Sequence, residues 1–165
     1  MNSPDLLHLS IAVAVTAILV WAAISDVRTR KIPNGCAISI IALFAIWAIS
    51  EKGVGTGSAL AAAAISFVIG FGLYSLNLMG AGDVKLFSAL ALFTGLELLG
   101  TFTLATAVSG GVVALTFLIT RPARRNAMGG RNGKGDNHQS VPYGVAIGLG
   151  ALMVVWGGVI TLPSL

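Results

Sequence analysis

What most constrains this chain is the recurrence of apolar runs, each long enough or nearly long enough to cross a bilayer core as a helix. They cover Leu7 to Ile24, Cys36 to Ile49, Ala59 to Met79, Leu86 towards Leu99, Phe102 to Thr120 and Tyr143 to Leu162. The fourth has the shortest core, because Lys85 and Glu97 bracket it. Only 10% of the residues are charged and 56% are hydrophobic, whereas a soluble domain usually carries about 25% charged residues. The expected fold class is therefore all-α: a polytopic membrane protein with six transmembrane helices. Residues 1–165 read as one transmembrane domain, with no internal repeat. The start of the chain does not read as a cleaved signal, since the stretch before the first apolar run carries Asp5 rather than a basic cluster.

Charge orients the spans. Arg28, Arg30 and Lys31, then Lys85, then Arg121, Arg124, Arg125, Arg131 and Lys134 fall on one side of a six-span chain, leaving Lys52 opposite. The positive-inside rule makes that side cytoplasmic and places both termini outside. The net charge of +4 is explained by this asymmetry and by anionic lipid, so no nucleic-acid partner is expected. The segment 121–140, rich in Arg, Asn and Gly, reads as a flexible cytoplasmic loop. His138 within it reads as solvated, and His8 as interfacial. A short turn is expected near Gly100. Cys36 stands alone, which excludes an internal disulfide and reads as packing. No cluster has metal-ligand spacing, so neither a metal nor a cofactor is expected. Gly144 and Gly148 form a GxxxG, read as packing within the chain, with a homodimer interface as the alternative.

Six acidic residues are present. Asp5 and Glu51 belong to outer polar segments, Asp136 to the loop, and Glu97 lies near an outer helix end. Asp26 and Asp83 differ, because both sit at cytoplasmic mouths of apolar helices, where ionisable groups are costly unless paired or hydrated. An acid closing the first helix opposes its macrodipole, and an ion pair with Arg28 or Arg30 would explain Asp26 structurally. Asp83 follows Gly80-Ala81-Gly82 and could simply be a helix N-cap. The glycines would equally leave room beside its carboxylate for a substrate strand or a second acid. Taken together, the pair lies at one membrane depth on different helices. Two carboxylates brought close cannot both ionise cheaply, so the pair would hold a proton near neutrality. One acid could then activate water while the other polarises a carbonyl.

The stretch Asp26-x-Arg28-x-x-x-Ile32-Pro33-Asn34, followed by Gly80-Ala81-Gly82-Asp83-x-Lys85, resembles the prepilin peptidases, GxGD-type intramembrane aspartic proteases. The late Val141-Pro142-Tyr143-Gly144 resembles the segment opening that family's last helices. The resemblance implies removal of the leader of type IV pilin precursors at the cytoplasmic face of the bacterial inner membrane. It makes Asp26 and Asp83 the catalytic acids, Gly80 and Gly82 the shapers of the active-site loop, and Lys85 and Arg28 contacts to substrate or lipid. Longer family members add a cytoplasmic domain with paired cysteines, associated with N-methylation. This sequence resembles the short form associated with Flp-type (tight adherence) pili, and cleavage without methylation is expected. The competing readings are a small proton- or ion-coupled transporter and a non-catalytic pilus or secretion assembly subunit.

Overall fold

The computed structural model describes residues 3–29, 32–50, 52, 53, 55–127 and 143–161. Among them it is all-helical, without strands. The elements are α1 (Ser3–Thr29), α2 (Asn34–Ser50), α3 (Thr56–Ser75), α4 (Ala81–Ala127) and α5 (Tyr143–Thr161). Three stretches are long and apolar enough to cross a membrane: Leu6–Thr29, Thr56–Ser75 and Ala81–Thr116. Two shorter apolar helices, Asn34–Ser50 and Gly144–Val154, pack with them.

The packing follows helical spacing. On α1, Ile11, Val15, Leu19 and Ala22 form one buried face. They meet Cys36, Ala37 and Ile40 of α2, Leu86, Ala89 and Leu90 of α4, and Ile147 and Ala151 of α5. Cys36 is thus a small core residue. The opposite faces stay apolar yet exposed, as with Trp21, Ile38, Val68 and Leu104. Apolar exposure on this scale is tolerated where acyl chains cover it. The fold and composition define a multi-pass membrane protein.

The expected turn near Gly100 lies instead at Gly95, five residues earlier. Gly95 has φ 58° and ψ −175° inside α4, a backbone region open essentially to glycine alone. Its effect is a reversal. In one continuous helix Phe87 and Phe102 would stand roughly 22 Å apart, yet their rings stack with centroids at 4.5 Å. α4 therefore consists of two arms, 81–94 and 96–127, folded against each other. The break frees the Leu96 N–H, and the Ser58 hydroxyl of α3 accepts it at 2.9 Å. The apolar pattern resumes at Leu96, Leu98 and Leu99 past the break, with Glu97 the one charge among them, so hydropathy alone places the turn after Leu99. Glu97 is exposed in the first turn of the second arm, where an acid complements the macrodipole. The second arm runs to Ala127, so backbone 121–127 of the expected loop is helical. Residues 128–140, with Arg131, Lys134, Asp136 and His138, lie outside the described residues, as do Arg30, Lys31 and Glu51.

Gly95→Ala is expected to lower the thermal midpoint of the purified protein by several degrees, while Gly100→Ala leaves it unchanged. A Cβ at residue 95 meets Ser58 Oγ at 3.0 Å besides the backbone strain, and one at residue 100 meets nothing within 4 Å. Strain of this kind costs about 1–3 kcal/mol, and a chain of this size shifts about 2–4 °C per kcal/mol. Equal midpoints for the two variants would show that the reversal does not depend on Gly95.

Candidate active site

Helix ends from four elements converge at one end of the bundle. The last turn of α1 brings Asp26, the first residue of α2 brings Asn34, the first turn of α4 brings Asp83 and Lys85, and the first turn of α5 brings Gly144. A pocket of about 330 Å³ is lined by Asp26, Ile32, Asn34, Gly80, Ala81, Gly82, Asp83 and Lys85. The two aspartates, 57 positions apart in the chain, thus line one pocket. Three of the converging ends are helix N-termini, whose partial positive charge favours carboxylates.

Asp26 is buried, at 8% exposure, and its Oδ2 accepts the Gly144 backbone N–H at 2.8 Å. This bond accounts for an acid that opposes its own helix dipole, because the carboxylate caps the N-terminus of α5 from outside that helix. Arg28 is exposed and does not line the pocket. Gly144 is required by the approach: a Cβ there would lie 2.8 Å from Asp26 Oδ2 and 3.0 Å from Ile32 Cδ1. The expected GxxxG therefore divides in function. Gly144 faces the pocket wall, while a Cβ at Gly148 would meet nothing within 4 Å.

Asp83 is the third residue of α4 rather than a cap preceding it. Its Oδ2 reaches back to accept the Gly80 N–H at 3.2 Å, and the Val84 N–H donates to the Gly80 carbonyl at 3.1 Å. This is half of a capping box, with Asp in the place of the usual Glu. It explains both motif glycines. A Cβ on Gly80 would stand 2.8 Å from Asp83 Oδ2, and one on Gly82 would stand 3.1 Å from Ile32 Cβ. The turn is therefore pressed against the segment that follows α1, which draws the two aspartates into the same pocket.

Lys85 is exposed and donates from Nζ to Asn34 Oδ1 at 3.1 Å, tying the start of α4 to the start of α2. Asn34 and Ile32, named in the sequence only as part of the motif that begins at Asp26, line the pocket. Their roles come from long-range contacts with Lys85, Gly82 and Gly144, which no local pattern encodes.

Two carboxylates, a cation and three helix N-termini gathered at one mouth of a multi-pass helical bundle are suited to acid–base chemistry on a polar substrate at the membrane edge. Residues 13–115 match the type IV leader peptidase family, and the chain belongs to that family. Its function is accordingly that of a peptidase acting on prepilin leaders. Neither a curated protein nor a solved structure gives a significant match to the chain.

Proposed function

We propose that this peptidase is an aspartic endopeptidase in which Asp26 and Asp83 share the chemistry of leader removal. The observation that carries the reading is that two carboxylates remote in sequence line one pocket, each accepting a backbone N–H at a helix start. One carboxylate, ionised, takes a proton from the attacking water. The other, protonated, donates to the scissile carbonyl oxygen, and that proton balance reverses as the amine leaves. Gly80 and Gly82 keep the turn low enough for a peptide to reach the pair, and Lys85 offers a cation at the rim. Leader removal from a pilin precursor mixed with membranes holding the protein, followed on a gel, tests this reading.

The finer assignments belong to the same proposal. The substrate is an Flp-type pilin precursor, cut at the cytoplasmic face of the bacterial inner membrane. Cleavage proceeds without N-methylation. The lipid bilayer is the working environment, and a homodimer is a secondary assembly reading. Six crossings with both termini outside are favoured by the charges: Arg28 and Lys85 stand at the dyad end of the bundle, while Lys52 follows α2 at the other. A transmembrane proton relay is disfavoured, since Asp26 and Asp83 share one end.

In a Cys36→Ala background, Arg30→Cys and Arg125→Cys are expected to resist impermeant thiol reagents added from outside, whereas Lys52→Cys reacts. Labelling of either arginine position from outside would overturn the six-span orientation.

A further inference from the structure

Beside the two carboxylates, the aspartate pocket is lined by the amide of Asn34. Asn34 opens α2, and an asparagine at a helix start ordinarily turns its Oδ1 onto a backbone N–H of the first turn. It does not do so here. The Cys36 N–H, two residues on, donates to the Pro33 carbonyl at 3.0 Å. Asn34 Oδ1 instead accepts from Lys85 Nζ at 3.1 Å, across 51 positions of the chain.

That partner fixes which way the amide lies. A lysine ammonium carries donors only, so the end of Asn34 that faces it is the oxygen, and Nδ2 with its two N–H donors forms the other end. Among the described residues, no acceptor takes either donor. Asn34 is exposed, so both are open to a molecule entering the pocket. Lys85 is placed for this task by its spacing. Residues two apart on a helix do not face each other, so Lys85 turns from Asp83 towards α2, and its hydrogen bond goes to a neutral amide. An extended peptide presents N–H and C=O groups in alternation, and each needs a partner when it leaves water. The carboxylates can accept from its N–H groups. Its carbonyls need donors, and the Gly80 and Gly144 N–H groups are already committed to those carboxylates. The Asn34 amide meets that need.

We propose that Asn34 binds the substrate, donating from Nδ2 to a backbone carbonyl of the peptide in the aspartate pocket, with Lys85 as the positioning residue that holds Oδ1 away from it. The inference rests on the dyad reading above and adds to it a contact that fixes the peptide before it is cut. The carboxylates do the chemistry, and the amide sets where the peptide backbone lies against them.

The test uses the full-length protein in liposomes with a pilin precursor as substrate. Asn34→Ala is expected to raise KM about tenfold, as loss of one hydrogen bond would, with kcat changed by less than about threefold. Asn34→Asp keeps an oxygen for Lys85 and removes the donor. It is expected to raise KM as much, while its thermal midpoint does not fall below that of the unaltered protein. KM is read at each variant's own optimum pH, which sets aside the effect of a third carboxylate on the dyad. A residue that merely ties α4 to α2 would leave KM unchanged in Asn34→Asp, and that result would overturn the proposal. Lys85→Met is expected to raise KM several-fold alone and by less than about twofold in an Asn34→Ala background, because Lys85 acts through the amide. Lys85→Arg, which keeps a donor, is expected to restore KM. Equal effects of Lys85→Met in both backgrounds would show Lys85 touching the peptide by itself and overturn its positioning role.

Binding without cleavage separates this contact from the dyad. In an Asp83→Asn background, adding Asn34→Ala is expected to raise the Kd of the precursor about tenfold. An unchanged Kd would overturn the proposal and leave the two carboxylates standing as the chemical pair. Continued cleavage by Asp83→Asn would sink the dyad instead, while a raised Kd would still assign Asn34 to the peptide.

Discussion

Asp26→Asn and Asp83→Asn are each expected to abolish leader removal, lowering the rate by at least the ~10²–10⁴-fold attributable to a positioned acid or base. The amide keeps the size of the carboxylate and one oxygen acceptor. Asparagine at residue 26 can still take the Gly144 N–H, and asparagine at residue 83 can still take the Gly80 N–H. Both helix starts therefore stay satisfied, and expression and topology are expected to be unchanged. What the amide cannot do is exchange a proton with water or with a carbonyl oxygen near neutral pH. Glu97→Gln provides the control, because Glu97 is exposed beside the Gly95 reversal, remote in the fold from the pocket. The assay is leader removal from a pilin precursor by membranes matched for protein content. Full processing by either Asn variant would eliminate the shared-proton mechanism.

Gly144→Ala is expected to reduce leader removal by about 10²-fold, with only a small change in thermal midpoint. The added methyl group would stand 2.8 Å from Asp26 Oδ2 and 3.1 Å from Asp26 Cβ. Asp26 is buried and has little freedom to retreat, so either the carboxylate rotates away from its partner or α5 shifts outward. A displacement of about 1 Å at a reacting group can cost on the order of 10²-fold in rate. Gly148→Ala lies one helical turn further on, where a Cβ meets nothing within 4 Å, and is expected to retain full activity. Equal activity for the two alanine variants would show that α5 does not set the position of Asp26.

The apolar runs and the scarcity of charge were enough to specify a helical bundle in lipid, because a bilayer admits only helices or closed barrels and runs this long without alternation suit helices alone. The two aspartates were equally legible. An acid at the end of an apolar helix is costly, and it stands out against any packing rationale. Local rules left out their tertiary supports. Asp26 takes the N–H of a residue 118 positions away, and Asp83, which reads as an ordinary N-cap, lies inside its helix and reaches back to Gly80.

The reversal at Gly95 escaped for a related reason. In water a turn needs polar residues, whereas here one glycine makes the break, the Ser58 hydroxyl accepts the Leu96 N–H and the Thr94 hydroxyl donates to the Ala91 and Gly95 carbonyls. Composition and hydropathy thus fixed the solvent and the class of fold by themselves, since both depend on sums over many residues. Tertiary structure alone decided which helix ends meet. The capping of α5 by Asp26, the seating of Gly82 against Ile32 and the tie from Lys85 to Asn34 each depend on contact between segments distant in the chain.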